Sequence, residues 1–415
     1  MRTITSSFWL LAVSCVGLSG CSVNEVVTAE ETELVVAEAP PDESLLLDVG
    51  VVEFFAGLDE DNDPDETGIY TEIRSAEVRY LPYHLKTTLQ GTGHWGAVRV
   101  IPSRDAFTDI IISGTIEKSD GEFITLDVTV HDSMGNRWYS REYETQTGIN
   151  SYSESRDKRE DPYQKVFNDI ANDLQAYVQE LPPKTVNNIR QTTELKFFAD
   201  MSPAGYGEHL SFDDDGIATI VRLPAENDPT VNRLRQIRER DRLVVDTLNE
   251  HYANFYYGIA IPYHSWRKTA REESVNYRQV KRSAMMQTLI GAVVLAGSLA
   301  YDANSSSYSK RQMQRGLQNI AIGQGFEALV TGISRRSEAK MHIESIRELS
   351  ESFGAEAAPM VVTVEGETRQ LTGTAEAQYE TWRRLLKQIY EAETGFVDNA
   401  DSQDAAPVRV AEPAG

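Results

Sequence analysis

The chain has 415 residues, with 64 Asp and Glu against 40 Lys and Arg, so its formal net charge is −24. An apolar content of 40% suffices for at least one sizeable core and excludes global disorder and collagen-like repeats. The negative charge disfavours general nucleic-acid binding, because phosphates would be repelled, and two cysteines are too few for a disulfide framework or a multi-cysteine zinc site.

The N-terminal segment has the pattern of a secretory signal. Arg2 supplies a positive charge, residues 8–18 form an apolar run that is too short to span a bilayer, and the motif Leu18-Ser19-Gly20-Cys21 follows. This arrangement resembles the bacterial lipobox, in which a peptidase cleaves just before a cysteine whose sulfur carries a diacylglycerol. An ordinary secretory signal with an incidental cysteine is the alternative.

The resemblance to the lipobox implies a lipid anchor. Removal of residues 1–20 would leave Cys21 with a diacylglycerol and an N-acyl chain, and several acyl chains attach a protein stably to a membrane. Ser22 implies sorting to the outer membrane of a Gram-negative cell, with the protein facing the periplasm. Residues 21–44 are acidic, lack aromatic residues and contain two consecutive prolines, so they are predicted to be a flexible tether.

Residues 45–182 are predicted to form an N-terminal mixed α/β sandwich domain, within a chain of the α+β class. The predicted elements, in chain order, are a buried strand (45–55), a helix (69–89), a strand (95–102), an antiparallel meander (109–146) and a closing helix (163–181). Alternation of apolar and polar residues supports the meander, and a continuous apolar run supports the first strand.

This order of elements resembles a periplasmic domain of curli-secretion and flagellar-assembly lipoproteins and the N-terminal domain of the Tol translocation protein. The segments that carry the resemblance are Val51-Val52-Glu53-Phe54, Ser113-Gly114-Thr115-Ile116 and residues 126–135. In those families the domain binds proteins and is not an enzyme. The resemblance therefore implies a protein-interaction module over about a third of the chain.

A mainly helical domain is predicted for residues 228–394, after a linker or small sheet at 183–227. Asp228-Pro229 has the pattern of a helix N-terminus, and Pro262 is expected to kink or break the helix that follows. Residues 360–372 are predicted to form a β-hairpin, residues 376–393 a last helix, and residues 395–415 a disordered tail.

A long apolar helical hairpin is predicted at residues 283–334. Its first arm, 283–301, has no charged residue, and its second, 316–334, has only Glu327. Basic residues bracket both arms, and small residues form a possible membrane or helix-packing stripe: Gly291, Ala292, Ala296, Ala300, Ala321, Gly325, Ala328 and Gly332. Three interpretations stay open: a hairpin buried in a core, insertion into or close contact with a membrane, and a surface for a partner protein.

Spacings typical of catalysis or metal binding are missing from the sequence. The seven histidines form no His-Glu-x-x-His, and there is no nucleophile elbow, P-loop or dinucleotide fingerprint. Alternating aspartates at 59, 61, 63 and 65 do not fit an EF-hand loop, which needs glycine at its sixth position, so a solvated acidic loop is favoured. Aromatic residues between Tyr252 and Trp266 are expected in a core, with a sugar-stacking groove as the alternative.

Together these patterns predict a non-enzymatic, outer-membrane-anchored periplasmic lipoprotein. It would act as a scaffold or assembly factor for an envelope, secretion or surface structure, with protein partners or self-association, no nucleic acid and no cofactor besides the lipid on Cys21. One alternative is an envelope hydrolase whose paired carboxylates lie far apart in sequence. The other is a component of an oligomeric ring or pore.

Overall fold

The fold is taken from a computed structural model, which describes the following residues: 31–39, 41–58, 70–148, 150–153, 160–225, 227–300, 341, 343–348, 351, 360–364 and 367–394. For residues 276–300, 363–364 and 367–368 it describes the backbone without the side chains. The predicted α+β class is confirmed, since helices pack on a mixed five-stranded sheet.

The main sheet has the strand order β2-β1-β3-β4-β5. Its strands are β1 (Val49–Val52), β2 (Val98–Ile101), β3 (Ile110–Ser119), β4 (Phe123–Asp132) and β5 (Arg137–Gln146). The central strand β1 pairs in parallel with β2 and β3, while β3, β4 and β5 form an antiparallel meander. All four residues of β1 are buried, as expected for a central parallel strand with both faces covered. The predicted strands and meander are thus confirmed.

Three helices accompany the sheet: α1 (Thr71–Thr92), α2 (Gln164–Gln179) and α3 (Pro183–Met201). The first two confirm predicted helices, and the predicted apolar face of α2 is buried at Val166, Ile170 and Leu174. Helix α1 continues through Pro82, which has no N–H for the carbonyl of Val78. That carbonyl instead accepts a hydrogen bond from the backbone N–H of Phe54 at 2.9 Å, which ties α1 to the end of β1.

The segment at 183–227 differs from the predicted linker. It begins with the 19-residue helix α3, whose first residue is Pro183, and continues with the short helix α4 (Pro203–Tyr206) and a hairpin of β6 (Leu210–Phe212) and β7 (Ala218–Ile220). The proline pair at 182–183 ends α2 and also starts α3, because proline is well suited to the first position of a helix. The hairpin matches the small sheet that was the other expectation.

The helical part is dominated by α5 (Pro229–Ala300), a continuous helix of 72 residues and about 108 Å. It begins where Asp228-Pro229 predicted, but it does not break at Pro262. Contacts on both sides of the proline explain this: Tyr252 and Tyr263 are both buried against the α/β part and hold the two halves of α5 in place.

The remaining described elements confirm the predicted hairpin and last helix. They are β8 (Met360–Val364), β9 (Glu367–Leu371) and α6 (Ala375–Thr394), and residues 343–348 are also helical. Residues from the sheet, α5 and α6 all belong to one buried apolar cluster. Helix α5 also covers the outer edge of β2, where the amide side chain of Asn249 accepts the N–H of Val100 at 2.9 Å.

Part of the predicted tether makes specific contacts with the folded body. Val35 donates its N–H to the side chain of Asn172 in α2 at 2.9 Å, and Asn172 donates to the carbonyl of Glu33 at 2.9 Å. The N–H of Ala37 reaches the carbonyl of Thr92 at 2.8 Å. The described residues 31–37 therefore lie along α2 and the end of α1.

Several predicted features fall wholly or partly outside the described residues. They are the signal segment, the aspartates at 59–65, the second arm at 316–334 and the tail at 395–415. Within the described ranges, no helix combines the length and the apolar character that a bilayer span requires.

Candidate binding groove

Buried polar contacts fix α5 to the α/β part. Tyr263 donates its hydroxyl to Oε1 of Glu77 at 2.6 Å, and Arg267 donates from Nη1 and Nη2 to the two carboxylate oxygens of Asp161, both at 2.8 Å. Arg267 is only 1% exposed, and Glu77 is completely buried. Since buried charges are tolerated only where they are paired and hydrogen-bonded, these contacts define one position of α5 on the sheet.

Burial and pairing set the charge states of these carboxyl groups. Burial raises the pKa of Glu77, although Arg74 Nε lies 3.2 Å from its Oε2. Burial alone would also raise the pKa of Asp161, but the charges of Arg267 and His84, with the hydrogen bonds from Arg267 and from a backbone N–H, together outweigh burial and hold that pKa below its usual range. The carboxylate of Asp161 is therefore stabilised by its partner on α5.

His84 completes this group of contacts. Its Nδ1 lies 2.7 Å from the hydroxyl of Tyr256 on α5, and its Nε2 lies 2.9 Å from Oε1 of Gln164 on α2. Burial lowers the pKa of this imidazole. We call the group the seam and define it as Glu77, His84, Asp161, Tyr263 and Arg267. No seam side chain lines the clefts described below, so the seam supports the fold rather than receiving a ligand.

A groove of about 850 Å³ lies where the loop 102–109, α3, β6 and α6 meet. Its walls bring together aromatic side chains and charges of both signs. The residues that line it are Ser103, Arg104, Asp105, Ala106, Phe107, Thr108, Ile111, Asp132, Ser133, Thr193, Lys196, Asp200, Phe212, Tyr379, Glu380, Arg383 and Arg384.

Arg383 holds α6 against the other walls. Its guanidinium pairs with Asp200 at the end of α3 and lies 4.5 Å from the ring centre of Phe107. Lys387, one turn further along α6, lies 3.3 Å from the other oxygen of Asp200. One carboxylate thus binds two cations of α6, which fixes the width of the groove between α3 and α6.

Aromatic rings supply the apolar part of the lining. Phe107 packs edge-to-face on Phe197 at 5.2 Å between ring centres, which holds the loop 102–109 onto α3. Phe212, at the end of β6, is 57% exposed, and the ammonium of Lys196 lies 5.8 Å from its ring centre. Burial lowers the pKa of Lys196. An apolar group entering the groove would find Phe107 and Phe212 in its lining.

The charged residues of the groove differ in how they are paired. Arg383 and Asp200 pair with each other, whereas the other six charged side chains of the lining form no ion pair within the described part of the chain: Arg104, Lys196, Arg384, Asp105, Asp132 and Glu380. Because three of these six side chains are cationic and three are anionic, the groove suits a ligand that carries both signs of charge. A polyanion would find partners only in the cationic side chains of the groove.

The floor of the groove is held by hydrogen bonds from the ends of the strands. Asp132, the last residue of β4, accepts the indole N–H of Trp138 at 3.0 Å. Ser133 donates to the carbonyl of Ile189 at 2.6 Å, and Thr193 donates to Oδ1 of Asp109 at 2.6 Å. These bonds fasten α3 to the sheet and give the groove a fixed base.

The residues predicted from sequence do not meet in this groove. Leu18, Ser19, Gly20, Cys21, Ala321, Gly325, Ala328 and Gly332 lie outside the described residues. Gly291, Ala292, Ala296 and Ala300 lie on the last turns of α5, where the backbone alone is described. In the described part of the chain, no three His, Cys, Asp or Glu side chains are grouped so that they could hold a metal ion.

The aromatic residues of α5 mostly belong to the core, as expected. Tyr252, Phe255, Tyr263 and Trp266 are buried, while Tyr257 is 67% exposed. Residues 263–267 and 379–383 form a short sequence echo, since both segments have tyrosine first, tryptophan fourth and arginine fifth, and this echo has a structural basis.

In both copies the tryptophan is buried, and the arginine at the fifth position stacks on the tyrosine at the first and pairs with an aspartate. The first copy contributes to the seam and the second to the groove.

Sequence reasoning missed the groove, because its walls come from four segments that are distant along the chain. The tyrosine-tryptophan-arginine echo was the one signal that pointed to it, since Arg383 is its last residue.

Comparisons with models of protein families, with curated proteins and with solved structures find no match to this chain. The resemblances to the lipobox and to the periplasmic lipoprotein domain therefore remain predictions.

Proposed function

We propose that this chain is a lipid-anchored, non-enzymatic protein of the bacterial envelope that binds a peptide segment of a partner protein in the groove. It would face the periplasm from the outer membrane and act as a scaffold or assembly factor. The observation that carries the binding role is the groove of about 850 Å³, with its aromatic walls and six charged side chains that form no ion pair with any described residue. The anchor rests on the motif at residues 18–21.

The chemistry of the groove defines the segment that would fit. Phe107 and Phe212 favour a bulky apolar side chain, because aromatic rings supply large contact areas. Lys196, beside the ring of Phe212, favours a carboxylate nearby, and the exposed rim charges of both signs favour a mixed-charge peptide. A small apolar metabolite would leave these charges without partners.

The long helix supports the scaffold role. The indole N–H of Trp382, within the groove-lining helix α6, donates to Asp241 of α5 at 3.1 Å. From Asp241 to the end of α5 at Ala300 the helix extends for about 90 Å, at 1.5 Å per residue. A rigid element of this length would hold a bound partner at a defined distance from whatever the other end of α5 contacts.

The binding role is tested by photo-crosslinking in intact cells. A photoreactive amino acid replaces Arg384 at the groove rim or, as the control, exposed Tyr257 on α5. We expect a covalent adduct from position 384. This adduct should disappear when Phe212→Ala is added and should persist when Tyr257→Ala is added instead. No adduct from position 384, or one that is indifferent to Phe212→Ala, would contradict the proposal. An adduct with a second copy of the chain would identify the partner as the protein itself.

The anchor is tested separately by cell fractionation. Cys21→Ala should move the protein from the membrane fraction to the soluble periplasm, and mass spectrometry should find the lipid on Cys21 of the unmodified protein. An unlipidated mature protein would refute the anchor and leave the groove unaffected. A Cys21→Ala protein that still sediments with membranes would instead indicate a second membrane contact, for which 283–334 is the candidate.

A further inference from the structure

A second cleft, smaller and more polar than the groove, lies on the opposite face of α3. It measures about 250 Å³ and is formed where the N-terminal ends of β1 and β3 meet α3 and α5. We call it the arginine pocket. Its lining residues are Leu46, Asp48, Asp109, Asn187, Arg190, Gln191, Glu194, Arg238 and Arg242. The hydrogen bond between Thr193 and Asp109 separates it from the groove.

The spacing of the lining residues shows why α3 and α5 converge here. Asn187, Arg190, Gln191 and Glu194 lie three or four residues apart on α3 and therefore share one face of that helix. Arg238 and Arg242 are four residues apart on α5 and share the facing side. Two helix faces thus direct three guanidinium groups and two amides towards one small cavity.

The three carboxylates of the pocket have other partners. Asp48 accepts the N–H of Ala97 at 2.8 Å and binds Arg242 at 3.3 Å. Glu194 receives two hydrogen bonds from Arg235, at 2.8 and 3.3 Å. Both carboxylates are thus occupied by cationic partners.

Asp109 is engaged by neutral donors. It accepts the hydroxyl of Thr193 at 2.6 Å and the N–H of Asp48 at 2.9 Å. It is only 4% exposed, and burial raises its pKa. Asp109 is therefore the one carboxylate of the pocket without a cationic partner of its own.

Two of the three arginines lack a carboxylate partner. Arg190 donates to the backbone carbonyls of Glu43 and Ser44, which carry no charge. Arg238 makes neither a hydrogen bond nor an ion pair with any described residue, and its Nε is buried without a partner. Arg238 and Asp109 attract each other without forming an ion pair, so Arg190 is left without a carboxylate and gives the pocket a surplus of one positive charge. A buried polar group without a protein partner requires an explanation, and a bound water, ion or ligand provides one.

We propose that the arginine pocket binds a phosphate group through the guanidinium groups of Arg190 and Arg238, with the amides of Asn187 and Gln191 as further donors. The planar guanidinium fork matches the oxygens of a phosphate, and charge-assisted bonds of this kind are among the strongest hydrogen bonds. The small volume admits a compact group, either free phosphate or the phosphate of a monoester such as a lipid headgroup or sugar phosphate. This site is independent of the peptide groove.

Isothermal titration calorimetry of the purified full-length chain tests the proposal, with sodium phosphate added at constant ionic strength. We expect saturable binding at one site per chain, weakened at least roughly tenfold by Arg238→Gln, since one such factor corresponds to the loss of a single charge-assisted contact. Arg240→Gln is the matched control, because Arg240 lies on the same helix but pairs with Glu393. That variant should bind phosphate like the unmodified chain.

Two further arms identify the source of the phosphate and guard against misfolding. Tighter binding of glycerol 3-phosphate than of inorganic phosphate would indicate a monoester, and the reverse order would indicate the free ion. Circular dichroism checks that each variant folds. If Arg238→Gln does not fold, Arg238→Lys replaces it, because lysine retains the positive charge but lacks the planar guanidinium fork. Arg238→Lys should still weaken the binding of phosphate.

Three results would overturn the proposal. The first is that the unmodified chain shows no saturable binding of phosphate. The second is that the unmodified chain and both Arg238 variants bind phosphate equally, which would mean an adventitious ion only. The third is that acetate binds more tightly than phosphate. Binding of phosphate should also be unaffected by Phe212→Ala, so the outcome does not depend on the groove.

Discussion

The two halves of α5 use arginine in opposite ways. In its C-terminal half, Arg267 is buried, bound at both nitrogens to Asp161, and stacked 4.3 Å from the ring centre of Tyr263. In its N-terminal half, Arg238 lines a cavity and has neither a hydrogen bond nor an ion pair among the described residues. One helix thus provides a fixed contact near its middle and, closer to its N-terminus, a cation without a bonded partner among the described residues. The comparison teaches that partners, rather than burial alone, distinguish a structural charge from a binding charge.

The largest effect is expected from breaking the seam. Arg267→Met removes both hydrogen bonds to Asp161 and leaves that carboxylate buried without its charge partner, which typically costs about 3–5 kcal/mol. Urea denaturation of the purified chain should show this loss in the free energy of unfolding.

Arg240→Met is the matched control on the same helix. Its guanidinium is 43% exposed and pairs with Glu393, so we expect a loss of at most about 1 kcal/mol. Equal losses in the two variants would remove the distinction between the buried and the exposed pair.

Two aspartates should give opposite pH dependence. Burial raises the pKa of Asp241 to about 6, whereas Asp161 has its pKa held below the usual range by Arg267. Because the folded protein binds a proton at Asp241 more tightly than the unfolded chain does, the stability from this group is present below about pH 4 and is lost as the pH rises through about 6. Asp161 contributes stability when the pH is above the pKa that it has in the unfolded chain. This contribution is lost as the pH falls.

Asp241→Asn tests the first of these two pH dependences of stability. The amide stays neutral and still offers an oxygen to the indole N–H of Trp382. At pH 7 the variant should be more stable than the unmodified chain by up to about 3 kcal/mol, and this advantage should vanish by about pH 4. Urea unfolding across this pH range measures it. Asp161→Asn should show its deficit mainly at neutral pH, and a parallel pH profile for both variants would refute the assignment.

A smaller loss is expected at the wall between the two clefts. Thr193→Val keeps the shape of the side chain but removes the hydroxyl that Asp109 accepts at 2.6 Å. A buried carboxylate that loses one donor should cost about 1–3 kcal/mol. The hydrogen bond of Asp109 to the N–H of Asp48 remains, so thermal unfolding should stay cooperative. An unchanged midpoint would show that Asp109 finds another donor.

The secondary-structure elements that sequence patterns predict well are those decided by neighbouring residues. Strands β1 to β5 and helices α1, α2 and α6 follow from local periodicity and from prolines and glycines at their ends, because the residues that decide them are close in sequence. Pro262 failed as a helix breaker because distant contacts, such as that of Tyr263 with Glu77, stabilise both flanking halves.

The groove and the arginine pocket were beyond such patterns for the same reason. Thr193, on α3, meets Asp109 at the start of β3, 84 residues away, and the groove needs α6 as well. Sequence spacing cannot reveal that Arg238 lacks a partner, since this depends on where every surrounding carboxylate points. The unpaired charges, which matter most for binding, are thus the least visible in the sequence.

The smallest effect on stability, and the sharpest on binding, is expected at the groove. Phe212 is 57% exposed, so Phe212→Ala should change the free energy of unfolding by no more than about 0.5 kcal/mol, as for most surface substitutions. The same substitution removes one aromatic wall and should abolish capture of the partner at position 384. Tyr257→Ala, at an aromatic residue that is 67% exposed and lies outside the groove lining, should change neither quantity. If Phe212→Ala instead destabilised the chain as strongly as Arg267→Met, the groove would be part of the structural core rather than a binding surface.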